Sequence, residues 1–322
     1  MARYRRALGA LLLLPVVACG TDTGSATSVT FLLRSQGGTT YFQQVAGGAR
    51  AEAQRLGLDL AVQFTDSSDQ QLSAADTAIA AGADGLIVTI QDPAIGPAIA
   101  AKASAAGIPL LASPDSFDDA AGDPVPVVAL DGEQVGADVG AEAARLHQGS
   151  GWDPAGVRVV SVELPGVSTC MDRTDGALAA FADAEPGLAE SVLRVEYDGT
   201  LNSANDTVSA ALNNHRDVRH WIVWSCNDEG VVGAITALAN AGMGADRVIG
   251  VGLGANLACD QWAAGGASAY RSAVALDPRD NGRIAVATLH RHLTGGEPLP
   301  AVTLFTGELV GPDTAAGELP CG

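Results

Sequence analysis

Basic residues are scarce in this 322-residue chain: 18 Lys and Arg stand against 37 Asp and Glu, a formal charge of −19 at pH 7. Three of the arginines, Arg3, Arg5 and Arg6, crowd the first positions, so the remainder is more acidic still. A surface of that sign repels phosphate backbones and anionic lipid headgroups, which excludes nucleic-acid binding. Aromatic residues are few, at 4%, so any place where they gather carries information. Beyond residue 18 no apolar run comes near the about 20 residues that a bilayer-spanning helix requires. Catalytic signatures are missing as well. There is no G-x-S-x-G, no H-E-x-x-H, no P-loop and no carboxylate-rich metal cluster. Gly250–Ala255 follows a strand pattern without complete G-x-G-x-x-G spacing, and His290 and His292 point to different faces of a helix. With no nucleophile beside a base, neither an enzyme nor a cofactor or metal is expected.

What is present suits a globular protein: 47% hydrophobic residues, 39 Gly and 15 Pro, with length for about two domains. The first 18 residues stand apart. A basic start leads into an apolar run, Ala7–Ala18, broken by Gly9 and Pro15 and ending Val16-Val17-Ala18-Cys19-Gly20. This is the length of a signal-peptide core, and its end resembles the bacterial lipobox. Residues 1–18 are therefore expected to be removed, leaving Cys19 lipidated on a polar tether to residue 28. The rest would then lie outside the cytoplasm, anchored to the cell membrane.

Short apolar runs alternate with helical patterns along the rest. Strands are expected at Val29–Leu33, Leu58–Phe64, Gly85–Ile90 and Ile108–Ala112, then in a second series at Val157–Val162, Val192–Tyr197, Trp221–Trp224 and Val248–Val251. The runs are almost continuously apolar, as parallel strands covered on both faces must be. In the first helix Phe42, Val45, Ala46, Ala49, Ala53 and Leu56 share one face at helical spacing. The pattern is α/β: two doubly wound parallel-sheet lobes joined by a hinge, separated by the Asp-, Gly- and Pro-rich stretch Asp118–Asp131, with a ligand cleft between. Residues 29–130 and 276–297 are assigned to the N-terminal lobe. Residues 131–275 and 298–318 go to the C-terminal one, with Glu297–Pro300 marking a crossing.

Polar and aromatic residues gather where strands give way to helices. Tyr41 and Phe42 are adjacent, so they point about 100° apart. One is expected in the core and the other facing the cleft, where an aromatic face suits the C–H side of a sugar ring. Asp115, Arg173 and Asn227 fall at corresponding strand exits, and together they offer the acceptors and donors a polyhydroxylated ligand requires. Taken singly, Asp115 also reads as a turn residue, Asn227 as a helix N-cap and Arg173 as half of a surface ion pair. Four cysteines follow Cys19, and an even number in an exported protein permits disulfides. Cys170 and Cys226 both lie where second-lobe strands end and helices begin, so they are expected to pair, with Cys259 left to Cys321; buried free thiols are the alternative.

The stretches Phe31–Phe42, Thr89–Ala103, Val125–Gly140, Ser168–Gly176, His215–Gly242 and Ala275–Gly282 carry a family likeness. The chain resembles the periplasmic sugar-binding proteins of bacterial ABC importers (type I periplasmic binding proteins), the L-arabinose-binding branch in particular. The likeness covers roughly residues 28–310. By resemblance, Arg34 occupies the place of a basic residue after the first strand, Tyr41 and Phe42 that of the stacking aromatics, and Asp115 the second member of an acidic pair. Leu130 sits at the first crossover, Arg173 and Asn227 match the family's Arg and key amide, and Cys226 stands where Met is typical. Thr39 replaces an acidic residue, Pro114 an Asp, and Gly254 a second ligand-binding Asn, with Asn256 close by in sequence. The resemblance implies a monomeric protein that captures a pentose or hexose by lobe closure and delivers it to an ABC permease. The alternative is a sensor that reports the ligand to a chemoreceptor or kinase.

Overall fold

The computed structural model describes residues 27–35, 39–263 and 267–314. The signal segment, Cys19 and Cys321 lie outside them. The first lobe opens with β1 (Ser28–Arg34), α1 (Thr39–Leu56), β2 (Asp59–Thr65), α2 (Ser68–Ala80), β3 (Gly85–Val88), α3 (Gly96–Ala106), β4 (Leu110–Ala112) and β5 (Val127–Leu130). The chain then enters the second lobe with α4 (Gly132–Ser150), β6 (Val157–Glu163), α5 (Ser168–Ala184), α6 (Pro186–Ala189), β7 (Leu193–Glu196) and α7 (Leu201–Leu212). β8 (His220–Ser225), α8 (Asp228–Asn240), β9 (Val248–Gly254), α9 (Ala258–Ala263) and β10 (Tyr270–Ala275) continue it. α10 (Pro278–Gly295) and β11 (Val302–Phe305) return to the first lobe, and β12 (Glu308–Val310) ends in the second.

The two sheets run β11-β5-β4-β3-β1-β2 and β12-β10-β9-β8-β6-β7. All pairings are parallel except β12, which lies antiparallel on β10. In each sheet the winding reverses beside the first strand, between β1 and β3 and between β6 and β8. These are the switch points, and a ligand binds outside the carboxyl ends of the strands there. The cores follow the apolar runs. Phe42, Val45, Ala46, Ala49 and Ala53 of α1 are buried against Phe31, Leu33 and Val286. Val135, Val139 and Ala143 of α4 pack with Phe181 and Trp224.

Helix starts are set by side chains that take up otherwise unpaired N–H groups: Asp131 accepts from Gln134 N, Thr200 from Ser203 N and Asp277 from Arg279 N. Glycines let several helices touch backbone to backbone. A Cβ on Gly282 would strike the Val45 carbonyl, locking α10 onto α1, and one on Gly136 would strike the Arg173 carbonyl, locking α4 onto α5.

Three differences from the sequence reading concern boundaries. The stretch Asp118–Asp131 is not only a separator, since it contains β5, whose pairing with β4 and β11 makes it a central strand. Its Pro and Asp neighbours obscured a run of four. The tail does not pass wholly to the second lobe at residue 298. β11 pairs with β5 from Val302↔Val127 to Phe305↔Leu130, so the last crossing falls between Phe305 and Glu308. β10, whose apolar pattern is broken by Arg271 and Ser272, has no counterpart among the expected strands, and neither have β11 and β12. The lobes are thus joined at three places: after Leu130, after Ala275 and after Phe305. The crossings lie side by side, with Asp131 N donating to Phe305 O at 2.8 Å and the Cβ position of Gly307 filled by Ala275 O and Leu276. Among the described residues no helix is long and apolar enough to cross a membrane.

Candidate functional site

The first wall of the cleft is built at the carboxyl ends of β1 and β4. Arg34 closes β1 and reaches Asp115 with an Nη2–Oδ2 distance of 3.0 Å, and its guanidinium lies 5.2 Å from the centre of the Phe42 ring. Asp115 follows the cis Ser113–Pro114 peptide at the exit of β4. Tyr41 and Phe42 meet edge to face with centroids 5.0 Å apart. Phe42 is 4% exposed and belongs to the core, whereas Tyr41 is 37% exposed, so Tyr41 is the ring that offers a face. Burial, and then the Asp115 charge, raise the Tyr41 phenol above its ordinary pKa, with Arg173 and Arg34 opposing. The phenol therefore keeps its proton at neutral pH and can donate it.

Beneath Asp115 lies a buried polar chain. Thr89 Oγ1 donates to Ser113 O, and Ser113 Oγ donates to Asn281 Oδ1 at 2.8 Å. It ties the ends of β3 and β4 to the start of α10, close to the second crossing.

The second wall is built on α5 and the junction of β8 with α8. Arg173 lies in the second turn of α5 and is half-buried. Its Nη1 donates to the main-chain oxygen of Cys226 at 3.1 Å, and its Nε is buried without a hydrogen bond. No carboxylate pairs with it among the described residues. Burial lowers its pKa, with Tyr41, Tyr197 and Asp172 opposing, and a guanidinium so far from neutrality remains charged.

Asn227 does act as the N-cap of α8, its Oδ1 accepting from Gly230 N at 3.0 Å and from Tyr197 Oη at 2.7 Å. The cap occupies only the oxygen. Nδ2 has no protein acceptor among the described residues, so the amide is aligned as a donor. A disulfide joins Cys170 to Cys226, with Cα atoms 5.0 Å apart, and it takes up the Cys226 sulfur. Cys259 is also disulfide-bonded, while Cys321, the partner expected for it, falls outside the described residues.

Leu130 ends β5 at the first crossing and packs, half-buried, against the second lobe's core. Gly254 ends β9 with φ of +114°, and Ala255 follows at +63°. A Cβ placed on Gly254 would lie 3.5 Å from Asn256 Nδ2 and 3.1 Å from Asp228 Oδ2. The exposed Asn256 amide thus stands beside the place where Gly254 has no side chain. Asp228 is buried and holds this loop by accepting from Leu257 N at 3.1 Å. It also accepts from Tyr270 Oη, whose phenol passes over Gly252 where any Cβ would collide with it.

Tyr197, Asp228 and Tyr270 escaped the sequence reading. Tyr197 ended an expected strand at the correct sheet edge, a signal that was there to use. Tyr270 sits on β10, and Asp228 carried no signal beyond its position beside Asn227.

Comparison with known proteins adds to this geometry. Residues 29–297 match the family model described as a periplasmic binding protein domain. The chain is 28% identical over 258 residues to the L-arabinose-binding periplasmic protein of Escherichia coli (strain K12), spanning 79% of this chain and 77% of that one. It is 27% identical over 314 residues to the ABC transporter L-arabinose-binding periplasmic protein of Azospirillum brasilense, spanning 95% and 93%. The crystal structure of a periplasmic ribose ABC transporter protein from Conexibacter woesei DSM 14684 matches with a TM-score of 0.71 at 22% identity, covering 90% of this chain and 93% of that chain. At that identity the structural match speaks for the fold.

Proposed function

The chain belongs to the periplasmic binding protein family, whose domain its residues 29–297 match, and from that premise we propose that it is the extracytoplasmic monosaccharide-binding component of an ABC importer. The observation that carries the reading is Arg173. A half-buried guanidinium that spends one N–H on the Cys226 carbonyl and has no carboxylate partner among the described residues is a donor waiting for an acceptor.

A sugar ring supplies complementary groups at every position. Its hydroxyls donate to Asp115 and accept from Arg173 and from Asn227 Nδ2, and its C–H face lies on Tyr41. Both curated relatives are named for L-arabinose, which supports a pentose or closely related hexose as ligand. Pro114 and Gly254 provide no side-chain hydrogen bond, so fewer hydroxyls are read here, with Asn256 the residue placed to compensate. The mechanism is capture: the lobes swing about the three adjacent crossings, ligand enters, and closure seals it between the walls. The closed monomer then presents both lobes to a membrane permease. Lipidation at Cys19 keeps it near that permease, and Cys19→Ser should release it into the soluble fraction.

The function is tested by mass spectrometry of ligand released from the purified protein. A pentose or hexose is the expected result, and a ligand of another chemical class would overturn the proposal.

A further inference from the structure

We propose that the Cys170–Cys226 disulfide is a positioning element of the cleft, holding the Arg173 guanidinium against the start of α8 so that ligand meets preformed donors. The inference rests on the reading that Arg173 and Asn227 contact the ligand. Cys170 and Arg173 are three apart on α5 and therefore share a face. One is bonded through sulfur to Cys226, and the other donates to the main-chain oxygen of that same residue. Cys226 in turn precedes Asn227, and Tyr197 Oη touches both, at 3.5 Å from the Cys226 sulfur and 2.7 Å from Asn227 Oδ1.

Two attachments to one residue thus fix the spacing between the two donors. The opposite side is fixed too, because α4 closes on the Arg173 carbonyl at Gly136. The restraint has physical work to perform. A half-buried guanidinium with no carboxylate partner among the described residues gains free energy by swinging toward water, and the exposed surface of so acidic a chain offers it partners. A bond to one carbonyl is weak opposition, whereas a covalent tie between the two backbones keeps that carbonyl within reach.

The test is a double-mutant cycle between Arg173→Ala and the paired change Cys170→Ser with Cys226→Ser. It is read by titration calorimetry with whichever of L-arabinose, D-ribose and D-glucose the intact protein binds, at a temperature below every variant's apo melt. Arg173→Ala should weaken binding by about 10-fold to 150-fold with the disulfide present. Without the disulfide the same change should cost less than about threefold, because the guanidinium has already left its place. Equal losses in both backgrounds, or unchanged affinity in the serine pair, would assign the disulfide to stability alone. If the serine pair does not fold, the alanine pair, which buries no hydroxyl, replaces it, and failure of both to fold overturns the proposal. If none of these three binds, the sugar is taken from the wider pentose and hexose panel, and an intact protein that binds no member of it contradicts the sugar reading instead.

Discussion

Arg34 and Arg173 belong to corresponding parts of the two lobes, one ending β1 and the other on the helix that follows β6, yet they are held differently. Arg34 has a carboxylate at 3.0 Å and an aromatic ring beneath it, so its charge is answered within its own lobe. Among the described residues Arg173 has a carbonyl and a neighbouring disulfide and no carboxylate. In the first wall the charges answer each other, although Asp115 Oδ2 is left without a hydrogen bond. The second carries unspent hydrogen-bonding capacity, and on this account most of the ligand's polar binding energy is gained there.

The comparison can be broken most forcefully inside the first lobe. Phe42→Ala removes a buried ring from the core that supports Arg34 and should cost about 3–5 kcal/mol of stability, measured by denaturant unfolding. Tyr41→Ala, one residue away and 37% exposed, loses only its edge-to-face contact with Phe42 and should cost about 0.5–1.5 kcal/mol of stability while weakening ligand binding. If the two variants exchanged these outcomes, the assignment of core ring and cleft ring would be reversed.

Arg173→Ala comes next, with an affinity loss equivalent to about 1.5–3 kcal/mol and an apo melting temperature close to that of the wild type. Arg173→Lys should recover only part of the loss, since a point charge does not reproduce the planar pair of donors. A smaller effect is expected from Arg34→Met with Asp115→Asn, because an ion pair this open to solvent contributes about 0–1 kcal/mol to stability. A large fall in the apo melt would show that the first wall depends on its pair.

The smallest effect is one of pH. Burial raises the Asp228 pKa, against hydrogen bonds from Tyr270 and from the backbone N–H groups of Leu257 and Asn256. The unfolded chain loses this proton near the ordinary value of about 3.9, so between there and the raised folded pKa the native state binds more protons. The Asp228 contribution to stability is therefore greatest below that window, falls as pH rises through it and then levels off. Asp228→Asn should remove the slope from stability measured across the window. An unchanged slope would place its origin elsewhere.

How far the sequence could be read also differs between regions. Continuous apolar runs such as Val29–Leu33 and Trp221–Trp224 announce buried parallel strands, and the Phe42–Ala53 spacing names the buried face of α1. β10 and β12 were illegible because an edge or interrupted strand depends on its partner more than on its own pattern. At the site, Tyr41, Asp115, Arg173 and Asn227 are identifiable as polar or aromatic residues where strands give way to helices, while Arg34 comes only from the family resemblance. What could not be read was their pairing. Nothing in the sequence tells that Arg34 takes Asp115 while Arg173 takes a carbonyl, or that Tyr270 crosses Gly252 to reach Asp228. Those contacts depend on how strands from distant parts of the chain lie side by side.

The central claim is that the cleft between these walls binds a single sugar ring. Titration calorimetry of the purified, ligand-stripped protein against a panel of pentoses and hexoses tests it most directly. The account predicts saturable one-to-one binding of at least one monosaccharide, abolished or strongly weakened by Arg173→Ala. Heat from none of the panel, or binding that Arg173→Ala leaves unchanged, would contradict it.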